Sequence, residues 1–149
     1  MKVVIGSDHA GFEYKTILVG TLLKCGYEVI DLGTSNIEPT DYPDHAAGVS
    51  RAILDKRGDR GILICGSAVG VSIAANKFKG IRAGVCHDTY SAHQSVEHDD
   101  VNILCMGQRV IGIELAKDVV FAFLNANFSG GERHEKRLAK ITAIENGAL

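Results

Sequence analysis

Short apolar runs that alternate with amphipathic stretches along almost the whole chain constrain its fold more than any other feature. Five runs have the length and composition of buried strands: residues 3–5, 28–32, 61–64, 81–86 and 101–106. The other stretches have helical periodicity: residues 13–24, 44–55, 71–78, 89–97, 113–126 and about 133–145. Such alternation with strongly apolar strands predicts an α/β fold, in which helices cover both faces of a parallel sheet.

Five parallel strands favour a single Rossmann-like (flavodoxin-like) three-layer αβα domain over residues 1–149, with the strand order 2-1-3-4-5. In that order a ligand crevice opens above the carboxyl ends of strands 1 and 3. Strand 1 is followed by Asp8 and His9, and strand 3 ends at Cys65 and continues into the small-residue loop 66–70. The topology therefore predicts that a carboxylate, an imidazole, a thiol and an amide-rich loop meet at one place.

The loop after strand 3 carries the clearest chemical signal. Gly66 and Gly70 permit a tight turn and the close approach of a ligand. Because the loop leads into a helix, its backbone N–H groups face whatever lies above the sheet, and a thiol there can act as a base or nucleophile. Three simpler interpretations stay open: an ordinary strand-to-helix connection, a Cys65 that is only a buried apolar residue, and an Asp8 that only caps the first helix.

Charge and cysteine content argue against several classes of protein. The formal net charge of -2 gives no reason to expect nucleic acid or an anionic membrane as a partner. No apolar run approaches the ~20 residues of a membrane span, and no secretory signal is visible. Four scattered cysteines are typical of reduced thiols, so we expect a cytoplasmic protein. We interpret Cys86 and Cys105 as buried apolar residues; a zinc site with Cys65 is conceivable, but the spacing matches no short zinc module.

Charged side chains elsewhere are ambiguous. His98 lies in an acidic turn, where neighbouring carboxylates suit an imidazole to proton transfer but where a solvated turn is equally ordinary. Arg133 and Arg137 are four residues apart, so on a helix they share a face and can grip one phosphate. Charge runs of this kind, and Arg109 likewise, are otherwise solvated surface. Tyr42, followed by proline, predicts only the start of a helix.

Four motifs in a fixed order resemble the type B ribose-5-phosphate isomerases, whose superfamily includes galactose-6-phosphate and allose-6-phosphate isomerases. They are Gly-Ser-Asp-His-Ala-Gly-Phe at 6–12, Asp-Tyr-Pro at 41–43, Gly-Ile-Leu-Ile-Cys-Gly at 61–66 and Ala-Ala-Asn-Lys at 74–77. The likeness extends to about residue 145. It implies an aldose–ketose isomerase of the pentose phosphate pathway that interconverts D-ribose 5-phosphate and D-ribulose 5-phosphate. The reaction would pass through a cis-enediolate without a metal or an organic cofactor.

The resemblance also implies a role for each candidate residue. Cys65 would be the base that moves the proton between C1 and C2, and His98 would open the furanose ring. Ser67 would be a third catalytic residue. Five loop amides would hold the enediolate: Gly66, Ser67, Ala68, Val69 and Gly70. Sugar hydroxyls would contact Asp8 and Asp99, and the phosphate would be held by His9, Arg109, Arg133 and Arg137. Family members are homodimers with shared active sites; further pairing into tetramers stays open.

Three residues depart from the family pattern. Ser67 stands where some members have threonine and keeps the hydroxyl, whereas Ala68 stands where glycine is common and should not favour a positive φ. Asp99 replaces an asparagine, which adds a negative charge and removes an amide donor. Val71 occupies the position of the glutamate base of another branch, so this chain is of the cysteine type. A hexose 6-phosphate isomerase and a non-enzymatic nucleotide- or metabolite-binding module are the alternative functions.

Overall fold

The computed structural model describes residues 1–148. Its five strands are β1 Lys2–Ser7, β2 Glu28–Asp31, β3 Arg60–Cys65, β4 Ala83–Val85 and β5 Ile103–Gly107. After a 3₁₀ turn at His9–Gly11, the helices are α1 Phe12–Lys24, α2 Tyr42–Leu54, α3 Val69–Ala75, α4 Thr89–Asp99, α5 Ile113–Asn125 and α6 Glu132–Glu145. Strands and helices alternate as the apolar pattern predicts. None of the helices within residues 1–148 has the length and apolar character needed to cross a membrane.

All strand pairs in the sheet are parallel, and the order is β2-β1-β3-β5-β4. The prediction of a parallel α/β sheet is confirmed, but the predicted positions of the last two strands were wrong. Strand β5 pairs with β3, in a register that places Gly107 opposite Cys65, and β4 forms the edge. The reason is burial: every residue of β5 is buried, which suits an inner strand, whereas β4 has three residues and is partly exposed.

The sheet separates two apolar clusters, and β3 contributes to both because successive side chains of a strand point to opposite faces. Ile62 and Ile64 pack with α1, α4 and α5, while Leu63 and Cys65 pack with α2 and α3. Helix α6 differs from the others, since His134 is its buried residue. The carboxyl ends of β1, β3 and β5 are therefore held by buried packing on both sides, and α6 lies against α4 at the periphery.

Gly11 brings the turn after β1 against the end of β3. A Cβ on Gly11 would lie 2.5 Å from the carbonyl oxygen of Ile64, a distance that real Cβ contacts do not reach. The turn that carries Asp8 and His9 can therefore approach β3 so closely only because residue 11 is a glycine.

We expect Gly11→Ala to lower the free energy of unfolding by about 1–3 kcal/mol, as overpacking against rigid backbone does. The matched control is Gly20→Ala in α1, where an added Cβ meets nothing within 4 Å. Alanine is the better helix former, so the control should gain about 0.5–1 kcal/mol. Urea unfolding followed by circular dichroism measures both. A Gly11→Ala protein as stable as the wild type would contradict the contact.

Candidate active site

A cleft of about 390 Å³ opens above the carboxyl ends of the central strands. The turn after β1, the start of α2, the loop after β3 and the loop after β5 all contribute to its wall. Its lining residues are Asp8, His9, Ala10, Tyr42, Cys65, Gly66, Ser67, Gly70, Arg109 and Val110. The fold thus places a carboxylate, an imidazole, a thiol and a guanidinium around one cleft, at the switch point where α/β sheets bind ligands.

Cys65 is the last residue of β3, and its side chain is almost completely buried. The backbone N–H of Ala68 donates a hydrogen bond to Cys65 Sγ over 3.1 Å. An N–H donor at this distance provides a partner for negative charge on the sulfur. Cys65 is thus a free thiol at the edge of a cleft with a donor directed at its sulfur.

Ala68 adopts the left-handed conformation, with φ 73° and ψ -20°. The prediction that residue 68, as an alanine, would avoid a positive φ was wrong. This residue is buried, and the connection from Cys65 at the end of β3 to Val69 at the start of α3 is only three residues long. Alanine pays about 1–2 kcal/mol for this conformation, which glycine adopts freely.

Two loop glycines are in close contact with side chains of the cleft. The position that a Cβ would take on Gly66 lies 3.4 Å from Arg109 Cδ, and on Gly70 it lies 2.7 Å from Tyr42 Cζ. Arg109 is held over the loop because its own N–H donates to the Gly66 carbonyl over 3.1 Å. The Arg109 guanidinium therefore lies at the first residue of the loop and the Tyr42 ring at its last.

Asp8 both caps the 3₁₀ turn and lines the cleft. Its Oδ1 accepts hydrogen bonds from the N–H groups of Ala10 at 3.0 Å and Gly11 at 3.2 Å. The capping interpretation and the functional one are compatible, since these bonds fix the carboxylate while the residue remains at the cleft wall.

The tautomer of His9 follows from a backbone contact. The N–H of Thr40 donates to His9 Nδ1 over 3.2 Å, so in the neutral ring the proton is on Nε2. Thr40 Oγ1 in turn lies 3.0 Å from His45 Nε2, which ties the long loop before α2 to the site. His9 therefore has its Nε2–H available as a donor.

Ala68 and Val69, two predicted residues of the loop after β3, do not line the Cys65 cleft. Four more predicted site residues do not line it in their own chain: His98, Asp99, Arg133 and Arg137. They lie at the end of α4 and the start of α6, where the rings of His98 and His134 are stacked with centroids 4.2 Å apart. Asp99 lines a separate groove of about 440 Å³ beside α6. Val69 is more than half exposed and lies at the start of α3, outside the lining of the cleft.

The residues at the end of α4 and the start of α6 influence one another's charge, as the pKa of His134 indicates. Burial lowers the pKa of His134, and the neighbouring His98, Arg133 and Arg137 lower it further, while Asp99 opposes them. The two arginines therefore face one region together with both imidazoles. We call His98, Asp99, Arg133, His134 and Arg137 the α4–α6 cluster.

Two other thiols, those of Cys86 and Cys105, are buried in the core. Burial raises the pKa of both the Cys86 and Cys105 thiols, which keeps them protonated at neutral pH. Within residues 1–148, no group of three or more histidine, cysteine or acidic side chains is placed to hold a metal ion.

Three residues near the sites were not predicted from the sequence. Tyr42 was interpreted only as a helix start, yet its ring covers Gly70. Thr40 acts through its backbone N–H, which no sequence pattern reports. His134 was passed over beside two arginines, although a histidine at that spacing on the same helix was a signal that could have been used.

A parallel αβα sheet with these groups at its switch point defines an α/β protein that binds a small anionic molecule. The chain belongs to the Ribose/Galactose Isomerase family, whose model matches residues 3–141. It is 53% identical over 144 residues, 97% of this chain and 96% of the relative, to ribose-5-phosphate isomerase B of Escherichia coli. It is 40% identical over 148 residues, 97% of each chain, to D-erythrulose-4-phosphate isomerase 2 of Mycolicibacterium smegmatis. The resemblance seen in the motifs is confirmed.

Solved structures agree with this assignment. Ribose-5-phosphate isomerase B of Clostridium thermocellum superimposes with a TM-score of 0.97 at 50% identity, and the match covers 100% of both chains. The Mycoplasma genitalium enzyme, solved with bound ribulose-5-phosphate, gives a TM-score of 0.91 at 38% identity over 97% of this chain and 96% of that one.

The conformation of Ala68 leads to a stability prediction. Ala68→Gly should raise the free energy of unfolding by up to about 1 kcal/mol, because relief of the left-handed strain exceeds the added freedom of the unfolded chain. The control Ala74→Gly, inside α3, should lower it by about 1 kcal/mol. Thermal unfolding of both proteins measures the difference. Equal losses in the two variants would contradict the strain at residue 68.

Proposed function

We propose that this chain is an aldose–ketose isomerase that interconverts D-ribose 5-phosphate and D-ribulose 5-phosphate by proton transfer through a cis-enediolate. The observation that carries the proposal is the Cys65 thiol at the cleft, with the Ala68 N–H on its sulfur and Asp8 and Arg109 in the same wall. Membership of the isomerase family and the 53% identity to the Escherichia coli enzyme support the same reaction.

The chemistry requires one base and a set of fixed donors. Cys65 as thiolate removes the proton from C2 of the open-chain aldose, the electrons form the C1–C2 double bond, and O1 takes the negative charge. The thiol then returns the proton to C1 while the proton of O2 moves to O1, which leaves the ketone at C2. The Ser67 hydroxyl, at the cleft wall, is our candidate to carry the proton between the two oxygens. Loop amides of residues 66–70 stabilise the enediolate because preorganised donors need not reorient.

The phosphate lies at the other end of the substrate, and two residues of the cleft suit it. His9 offers its Nε2–H, because Nδ1 is occupied by the N–H of Thr40. Arg109 offers a guanidinium, and its backbone N–H bonds to the Gly66 carbonyl, which keeps the residue beside the loop. Fixing the unreactive phosphate end positions C1 and C2 against the thiol.

We infer that a second copy of the chain completes the site. His98, Asp99, Arg133 and Arg137 belong to the α4–α6 cluster and do not line the cleft of their own chain. The proposed ring opening and the neutralisation of the phosphate need them at a cleft. Exposed apolar side chains on α3, β4 and α4 give two copies a surface to share: Val69, Ile73, Val85 and Tyr90. In the homodimer, each cleft would receive the cluster of the partner subunit.

A phosphorylated sugar is the substrate class in either isomerase version of this proposal, the pentose or the hexose one. An isomerase of a hexose 6-phosphate is not favoured, because the Escherichia coli relative and the superimposable structures are named for ribose 5-phosphate. A non-enzymatic sensor would bind a nucleotide without turnover, so isomerase activity of the purified protein would exclude the sensor.

Four free thiols within the described chain support a reducing compartment, which we propose is the cytoplasm.

Removal of the thiol tests the assigned base. We expect Cys65→Ala to reduce kcat for ribose 5-phosphate by about 10²–10⁴-fold, the range for a general base. The affinity for the sugar phosphate should be retained. The matched control is Cys25→Ala, the same change at an exposed thiol after α1, which should leave turnover unchanged. A coupled isomerase assay and calorimetric titration measure the two effects. Full activity of Cys65→Ala would exclude this base.

Mixing two inactive variants tests the shared site. Cys65→Ala and His98→Asn should each be inactive as homodimers. When equal amounts are unfolded together and refolded, half of the dimers are mixed and carry one intact site of two, so activity should return to about a quarter of the wild-type value. Refolding each variant alone is the control. No recovery, with mixed dimers demonstrated by mass spectrometry, would mean that Cys65 and His98 act within one chain.

A further inference from the structure

The ring of His98 stacks on the ring of His134. The two imidazoles are stacked with their centroids 4.2 Å apart and their planes at 22°. His98 comes from the end of α4 and His134 from the first turn of α6, so the stack joins two helices. A stack of this geometry fixes the plane of the outer ring against that of the inner one.

The neighbouring carboxylate of Glu97 does not hold the His98 ring in place. The carboxylate oxygen of Glu97 lies 3.9 Å from His98 Nε2, which is beyond hydrogen-bond distance, and the His98 side chain is one-third exposed. His134 is 8% exposed and its backbone N–H donates to the Gly131 carbonyl over 2.8 Å. The buried ring is therefore the fixed member of the pair, and the exposed ring takes its orientation from it.

The surroundings of His134 favour a neutral ring. Its Nδ1 is buried with no hydrogen-bond partner within residues 1–148, and a guanidinium nitrogen of Arg133, which can only donate, lies 3.5 Å from its Nε2. From α4 it faces His98 and Asp99, and from α6 Arg133 and Arg137. Burial lowers its pKa most, His98 and the two arginines lower it further, and Asp99 opposes them. A neutral His134 leaves His98 as the member of the stack that can take up and release a proton.

We propose that His134 is a positioning residue for His98: the stacked ring holds the His98 imidazole in the plane in which it delivers a proton to the substrate. The inference rests on the proposed function. In the ring-opening step, protonated His98 gives its proton to O4 of the furanose, the C1–O4 bond breaks, and O1 loses a proton to water as the aldehyde forms. His134 does not touch the reacting atoms in this step; it acts through His98.

The test separates ring opening from enolisation. Ribulose 5-phosphate has no furanose form, because its O5 carries the phosphate. Exchange of its C1 hydrogen with solvent deuterium therefore needs the base Cys65 but not ring opening. The variants are His134→Asn, which removes the ring, His134→Leu, which fills the space without stacking, and His134→Phe, which restores a stacking ring. His93→Asn, at an exposed histidine of α4, is the matched control.

We expect His134→Asn and His134→Leu to lose about tenfold or more in kcat for ribose 5-phosphate, with deuterium exchange into ribulose 5-phosphate within about twofold of the wild type. His134→Phe should keep kcat within about threefold, and His93→Asn should match the wild type. If His134→Asn does not fold, His134→Leu carries the same expectation.

Three results would overturn the role of His134. They are an unchanged kcat in both ring-deleted variants, an equal loss of turnover and exchange, and a His134→Phe protein as slow as the variants without a ring. A wild-type protein that neither isomerises ribose 5-phosphate nor exchanges ribulose 5-phosphate would instead refute the proposed function. The two failures are distinguished by the wild-type measurement alone.

Discussion

Backbone contacts at the carboxyl end of β3 are the constraint on which the site depends. The turn after β1 and the loop after β5 both approach this end more closely than a side chain allows. A Cβ on Gly11 would lie 2.5 Å from the Ile64 carbonyl oxygen, and one on Gly107 would lie 2.9 Å from the Gly66 carbonyl oxygen. These approaches bring Asp8 and Arg109 into the wall of the cleft that Cys65 lines. Backbone packing thus brings the groups of the cleft wall together.

Close packing at this point also explains why the loop tolerates a strained residue. Ala68 keeps a left-handed backbone although alanine disfavours it, and in this conformation its N–H reaches the sulfur of Cys65. Local strain of this kind persists only where the surrounding structure over-determines the conformation. The end of β3 meets this condition, since it is buried on both faces and paired on both edges. The donor at the thiol is therefore a consequence of the sheet.

Sequence reasoning predicted those parts of the molecule that depend on local pattern. Apolar alternation predicted the parallel α/β fold, and the ends of strands 1 and 3 were correctly expected at one cleft. The order of β4 and β5 was missed, because it depends on which strand is buried on both faces, and both runs look apolar in the sequence. Tyr42 and Thr40 were missed for another reason: one acts by covering a glycine and the other by a backbone N–H. Neither action has a residue-type signature.

The two halves of the proposed site differ in rigidity, and this difference has a consequence for specificity. The cleft around Cys65 is built on the buried ends of inner strands, so the distance between the thiol and the loop amides is fixed. Arg133 and Arg137 stand on α6, a mostly exposed helix whose buried residue is His134, and their long side chains can reach different positions. On the proposed function, sugar phosphates of different length would keep C1 and C2 at the thiol and move only the phosphate. A family that contains enzymes named for ribose 5-phosphate and for erythrulose 4-phosphate is what this division predicts. On the same proposal, the stack of His98 on His134 keeps the proton donor for ring opening in one geometry, while the neighbouring arginines of α6 adapt to the position of the phosphate.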